Sequence, residues 1–250
     1  GKVFQDDSAR YCILGDLHSL DPSRPRERQT GDTIQQMLES LALAGMDIYD
    51  IVRTWFFVDD ILGWYGDFNR VRSEIYTKAG VFDRFLPAST GIGGPNSHGA
   101  AVIATAIGVE AKGEGVTVRE IPSPLQCPAF DYGSSFSRAA ELETRDCRTI
   151  FVSGTASIDP DGATVHLGDS DAQIAFTLDV VKAILESRGM NFGQVVRGNA
   201  YFKDRGDAVK LEGHSRKVGL PLPRIVVSQN FVCRDDLLFE LEVQAMKAKD

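Results

Sequence analysis

Near its C-terminus the chain reads VCRDDLLFELEV, residues 232–243, which sets two carboxylates, Glu240 and Glu242, two residues apart in an apolar run. Successive strand side chains point to opposite sides. Leu237, Phe239, Leu241 and Val243 therefore share one face, and Leu238, Glu240 and Glu242 the other. Two readings fit. The plainer is a half-buried strand whose acids face water. The other turns one carboxyl group into a pocket, where an apolar wall raises its pKa and makes it a proton donor at neutral pH. Leu238 and the nearby Phe231 are candidates for that wall. Arg224, in LPRIVV, follows a proline inside an apolar run, where a bare guanidinium costs too much to leave unpaired. Its planar fork suits a carboxylate.

Other reactive residue types point to less. Cys12, Cys127, Cys147 and Cys233 are far apart, with no CxxC pair. That spacing argues against a zinc site or a disulfide scaffold and fits a reducing cytoplasm. His18, His98, His166 and His214 occur singly, with no spacing suited to a metal or a triad. No cofactor and no metal is expected. The glycine-rich TGIGGPNSHG, residues 90–99, reads as a strand-joining loop rather than an anion cradle, because no helix pattern follows it. Trp55, Phe56 and Phe57 read as core.

Composition narrows the class. With 250 residues, 43% of them hydrophobic, the chain can bury a sizeable core. A net charge of −8 without a Lys/Arg block argues against nucleic-acid binding. DPSRPRERQTGD, the one basic-looking stretch, reads as a loop. Apolar runs never approach the roughly 18 residues of a membrane span. No secretory signal is visible, and the opening Gly in place of Met reads as a processed end or a fragment.

The elements that must position these residues are written twice. RYCILGDL and TIFVSGTASI are apolar runs, each leading through a loop to an amphipathic helix. Three anchors coincide: G-D-x-x-x-Q at Gly31–Gln36 and Gly168–Gln173, G-M at Gly45 and Gly189, and V-R at Val52 and Val196. The first pair is separated by 137 residues and the other two by 144, so the second copy's helix is expected to be seven residues longer. Ile34, Leu38 and Leu41 recur at helical spacing in the first copy, and Ile174, Leu178, Val181 and Leu185 in the second. Gly45 and Gly189 end these helices. Next come the strands VRTWFFVDD and VVRGNAYFKD, and then second helices, the first with Phe68, Val71 and Ile75 on one side. Pro-led strands, LPASTGIGG and LPRIVVSQN, precede the last ones, AAVIATAIGV and DLLFELEVQAM. The pattern β-β-α-β-α-β-β predicts an α+β architecture of two tandem units, each a mixed sheet with two helices on one face. The expected division is 1–112, a linker over 113–131, and 132–250.

S-G-x-x-x-I-D-P, G-D-x-x-x-Q, L-P-R and the terminal E-x-E strand together resemble the Rid (YjgF-like) superfamily, whose fold is chorismate mutase-like. Its members are often labelled translation initiation inhibitors or endoribonucleases, and the best known hydrolyse enamines and imines. SGTAS (153–157), CRDDLLFELE (233–242) and SSFSRA (134–139) are similar to signatures of chorismatases, Rid-fold enzymes that release pyruvate from chorismate. The resemblance implies that Glu240 is the acid that protonates the enolpyruvyl group, and that Arg224 and Arg138 clamp carboxylates. It also implies that Phe136, Ser137, Gly154 and Thr155 line the pocket, and that Cys233 tunes the outcome or contacts the ring. It implies trimer-like packing of units and a homo-oligomer, with a small carboxylate as the partner. Rid deaminases carry Tyr where this chain has Phe136. The first copy has Ala88 in place of Arg224 and Ala104 or Thr105 in place of Glu240, so it is read as a structural wall. Three functions stand open: cleavage of chorismate, enamine or imine deamination, and metabolite binding without catalysis.

Overall fold

A computed structural model of the chain describes residues 1–249. In the first half, β1 (Lys2–Gln5) and β2 (Ala9–His18) form a hairpin, followed by α1 (Arg26–Leu43), β3 (Ile51–Val58), α2 (Ile61–Lys78), β4 (Ala88–Gly93) and β5 (Val102–Ala111). The second half runs β6 (Thr117–Ile121), β7 (Ala139–Glu143), β8 (Cys147–Ala156), α3 (Ser170–Glu186), β9 (Val195–Phe202), α4 (Lys210–Val218), β10 (Ile225–Gln229) and β11 (Phe239–Ala248). The sheet orders are β1-β2-β5-β3-β4 and β10-β9-β11-β8-β7-β6. With β6 set aside, the two sheets have the same topology, each with one parallel pair, β3–β4 and β9–β10. The fold is α+β with two mixed sheets, as the repeat pattern predicts. Among the described residues no helix is long and apolar enough to cross a membrane.

Each sheet buries one face against its helices. Ile174, Leu178, Val181 and Leu185 of α3 join Ile150, Val152, Leu241 and Val243 in one core. Ile34, Met37 and Leu41 of α1 join Leu14, Ala104 and Ala106 in the other. Each large aliphatic side chain buried there contributes about 1.5–3 kcal/mol. Gly45 and Gly189, at φ 72° and 66°, lie just beyond the two helices in the left-handed region where a side chain is disfavoured.

Several expectations are corrected. The helices α1 and α3 have 18 and 17 residues, so the second copy's helix is not longer. Gly31 and Asp32 lie inside α1, whereas Gly168 and Asp169 precede α3, and the basic stretch from Arg26 opens a helix rather than a loop. The true counterpart of Gln173 is Gln29, 144 residues earlier. Gln173 accepts the Leu238 N–H at 2.8 Å, and Gln29 accepts the Ala101 N–H at the same distance. The extra residues fall in the loop before α3, where a loop insertion disturbs no packing. The stretch 113–131 carries β6, because the β-branched run Thr117–Ile121 can bury Ile121 in the second core. On α2 the buried side chains are Ile61, Trp64, Phe68, Asn69, Arg72 and Tyr76, a stripe rotated from Phe68, Val71 and Ile75. This polar face of α2 meets the second half of the chain.

The sheet faces away from the helices pack on each other. Val52, Ala88 and Val109 meet Ala140, Leu142 and Phe151. β4 runs along the second unit: Ser137 N–H donates to Pro87 O at 3.1 Å, and Ser89 N–H to Ser153 Oγ at 2.9 Å. Glu242 is the polar centre of this interface. Its carboxylate accepts from Arg53, from Trp55 Nε1 at 2.8 and 2.9 Å, from Thr90, from Asn199, and from Tyr201 at 3.3 Å. Arg53, Trp55 and Thr90 belong to the first half, Asn199 and Tyr201 to the second. Trp55 is thus a hydrogen-bond donor as well as core.

Candidate active site

Two residues before Glu242 on β11 lies Glu240, buried at 5% exposure. The reading that puts these acids in water is overturned for both. The chain makes room for Glu240 with a β-bulge. Between Leu241 and Val243 of β11, the paired strand β8 runs from Thr155 to Val152, so β8 carries one extra residue. Ser153 and Gly154 consequently both meet β4, where Gly154 N–H donates to Thr90 Oγ1 at 3.0 Å. A β-carbon at Gly154 would collide with the Glu240 carboxyl oxygen and lie 2.9 Å from the carboxyl carbon. Gly154 is therefore the space the acid occupies. Gly154→Ala is expected to fold with a stability loss of about 1 kcal/mol, because the atom displaced ends a flexible side chain. It should still lower any Glu240-dependent turnover at least tenfold (a rough figure for one misplaced group). Thermal denaturation alongside a rate assay checks both.

Burial, reinforced by the neighbouring Glu242 charge, pushes Glu240 up to about 8, against the opposing pull of Arg53 and Arg138. At neutral pH it is a carboxylic acid. Tyr65, Tyr132, Phe136, Arg138, Ile158 and Cys233 surround it in a cavity of about 20 Å3. Tyr65, Tyr132, Ser134 and Cys233 also border a wider hollow of about 380 Å3, which reaches Asn69 and Ser73 of α2 and Arg234. The apolar wall is thus Tyr65, Tyr132, Phe136 and Ile158. Phe231 is half exposed and lies elsewhere, and Leu238 precedes β11, its N–H held by Gln173. Burial and the Glu240 charge push the Cys233 thiol up to about 12, so it stays protonated and is a poor nucleophile.

The structure divides the remaining sequence candidates. Arg138 is buried beside the cavity; its Nε donates to Cys127 O at 2.9 Å, and Nη2 has no partner among the described residues. Phe136 and Gly154 line the cavity. Thr155 does not: the bulge sets it opposite the core residue Leu241, and its hydroxyl donates to Ser153 O at 2.8 Å. Ser137 borders a different cavity and donates to Ala139 O at 3.2 Å. Arg224 is corrected outright. It is exposed at the edge strand β10, where Nη1 donates to Val195 O at 2.6 Å and Gly193 O at 3.4 Å. Its charge sits in water and needs no buried carboxylate.

Sequence reasoning missed Arg72. It is 1% exposed; Nη2 donates to Asn69 Oδ1 at 2.6 Å, and Nε has no partner among the described residues. The guanidinium carbons of Arg72 and Arg138 lie 6.0 and 5.9 Å from the centroid of the Phe136 ring. Neither forms a salt bridge among the described residues, so two buried guanidinium groups lie against the Phe136 ring without a carboxylate partner. The available signal was Tyr65, Asn69, Arg72 and Tyr76 at helical spacing, a stripe outweighed by its apolar neighbours. His18 and His98, distant in sequence, stack at 4.0 Å, and His98 Nε2 lies 2.9 Å from Asp16. Potential ligand atoms of these three residues lie within 4.8 Å of one another, which sequence spacing does not reveal.

Paired sheets of this topology, with a buried acid beside the seam, define a tandem Rid/YjgF-like protein. The chain belongs to the RutC family: it is 34% identical over 99 residues to a RutC family protein of Pyrococcus abyssi, a match covering 39% of this chain and 78% of that protein. It is also 30% identical over 220 residues to a chorismatase of Streptomyces rapamycinicus, across 77% of this chain, and spans 63% of that relative's length. A chorismatase crystal structure matches with a TM-score of 0.74 at 22% identity, covering 97% of this chain and 76% of that one, a likeness of fold. No family model matches the chain.

Proposed function

We propose that this chain cleaves the enolpyruvyl ether of chorismate or a closely similar dicarboxylate, with Glu240 as the general acid. The observation that carries this reading is the buried Glu240 carboxyl, held protonated at neutral pH in the space left by Gly154. Cleaving a vinyl ether requires a proton delivered to carbon, and a carboxylic acid with a raised pKa is suited to that step. The Glu240 O–H bond breaks as a C–H bond forms at the terminal vinyl carbon, leaving an oxocarbenium centre. Water adds there and returns a proton to the Glu240 carboxylate. The hemiketal then collapses, its hydroxyl proton passing to the ring oxygen, and pyruvate and a ring alcohol leave. The cavity beside the carboxyl has room for about one water. Arg138, at the cavity edge, supplies positive charge for a carboxylate, and the neutral Cys233 thiol forms part of the wall.

Incubation with chorismate should release pyruvate and the ring acid in equal amounts. Intact chorismate after prolonged incubation would overturn the proposal. Turnover of a dehydratase-generated enamine in its place would support the deaminase reading, which the position of Arg224 at an exposed edge does not favour.

A further inference from the structure

Asp16, His18 and His98 form the one group among the described residues in which three metal-ligating side chains converge, one ligand atom of each lying within 4.8 Å of the others. Asp16 and His18 close β2, and His98 comes from the loop between β4 and β5. β2 carries one extra residue just before them: Leu14 and Leu17 face Ala106 and Ala104 of β5, and Asp16 takes φ 58°. Bulges of this sort re-aim side chains and recur beside functional sites. None of the three residues borders the Glu240 cavity or the hollow beside it.

Two features separate the group from an ordinary surface ion pair. The first is the tautomer of His18. Its Nδ1 lies 2.9 Å from Ser19 O, and a carbonyl oxygen only accepts, so in the neutral ring Nδ1 carries the proton and Nε2 keeps the lone pair. Metal-bound imidazoles are normally held this way, the far nitrogen donating to a carbonyl or a carboxylate. The second is the pairing of imidazoles: His98 stacks on His18 at 4.0 Å while its Nε2 meets Asp16 Oδ1 at 2.9 Å. Another His–Asp pair, His214 with Asp171 at 3.1 Å, shows the contrast. It has no second imidazole, and Lys210 Nζ lies 3.3 Å from the same carboxylate. Asp16 has no Lys or Arg salt-bridge partner among the described residues.

We propose that His18, His98 and Asp16 bind a first-row divalent transition ion of the zinc class. Two imidazoles and one carboxylate suit Zn2+, Co2+ or Ni2+, whereas Mg2+ and Ca2+ take oxygen ligands. With bonds of about 2.0–2.2 Å, ligand atoms around a tetrahedral ion stand roughly 3.3 Å apart. Modest rotation of the exposed His98 and Asp16 side chains therefore completes the site. The ion takes the place of the hydrogen between His98 Nε2 and Asp16, and in a neutral ring that proton passes to Nδ1. Three protein ligands leave the remaining position to water. Bound there, the ion ties the β4–β5 loop to the end of β2.

Titration of the chelator-stripped full chain with Co2+, and then with Zn2+, tests this without relying on any activity. One ion per chain is expected, with visible d–d absorption and no thiolate charge-transfer band. In imidazole NMR spectra His18 and His98 should shift, and His166 and His214 should not. At about 100 times its dissociation constant, Zn2+ should raise the melting temperature by roughly 5–10 °C. His98→Ala, at an exposed loop position that threatens folding little, should weaken binding at least about a hundredfold, more than is lost with a ligand's hydrogen-bond partner. Asp16→Asn keeps a residue type that tolerates positive φ and should also weaken binding. His214→Ala should leave it unchanged. No saturable uptake at millimolar Co2+, a thiolate band, displacement of Co2+ by equimolar Ca2+, or unchanged affinity in His98→Ala overturns the proposal. Failure of chorismate cleavage would leave it standing, because that reaction uses none of these residues.

Discussion

Glutamine in place of Glu240 should reduce turnover on the order of 10^2–10^4-fold, the usual contribution of a positioned acid, while making the protein more stable at alkaline pH. Both effects follow from one shift. The folded protein raises the carboxyl from its ordinary 4.5 to about 8, so it holds this proton more tightly than the unfolded chain does. Below about 4.5 both states are protonated and the group is neutral towards folding. Between there and about 8 the unfolded chain ionises first, and stability falls steadily with rising pH; above about 8 the loss is constant. Glutamine cannot ionise and escapes that loss. With about 5 kcal/mol recovered, the variant should melt roughly 10–20 °C above the parent at pH 9 and within about 1 °C of it at pH 4. Parent activity should fall as pH rises through about 8, as the acid loses its proton. Melting curves and rates at matched pH values check this. An unchanged melting difference between pH 4 and 9 would count against a buried, protonated Glu240.

Removal of Arg53 should cause the largest loss of stability. Arg53 and Glu242 are 2% and 3% exposed, and they pair across the seam between the two units. Alanine at 53 leaves a buried carboxylate without its cation, a change that costs about 3–5 kcal/mol. For a chain of this size that lowers the melting temperature by roughly 6–20 °C. The contrast is Arg70, half exposed, whose contacts with Asp67 and Glu74 lie on the surface of α2. Arg70→Ala should leave stability essentially unchanged, because water screens both contacts. Because Arg53 also holds Glu240 down, its loss should move the alkaline limb of any pH–rate profile upward. Urea denaturation of both variants makes the comparison.

What the sequence made legible depended on whether the relevant physics was local. The repeated order of strands and helices could be read from periodicity, since burying one sheet face against helices imposes regular spacing on Ile174, Leu178, Val181 and Leu185. Gly45 and Gly189 were recognisable because a left-handed residue after a helix has a strong type preference. The equivalence of Gln29 and Gln173 was hidden, because each Gln bonds a backbone N–H from a distant loop, and a chance G-D pair at Gly31 drew the alignment elsewhere. Glu240 was identified by resemblance, yet alternation alone could not separate water from a second sheet on its face. Arg224 misled because its surroundings were judged from one strand, whereas the open edge of β10 depends on the order of the whole sheet. Arg72 was missed for the converse reason. Its helix face is anomalous until the other unit is placed against it.

β11 carries the proposed acid and the interfacial carboxylate on one side, roughly 7 Å apart along the backbone at strand rise. Any slippage of one unit against the other would be transmitted through Glu242 to Glu240 over that short, stiff span. Cohesion and reactivity are consequently inherited as one trait. Lineages derived from this chain cannot loosen the join between units, to admit a bulkier compound for example, without also retuning the proton affinity of the acid.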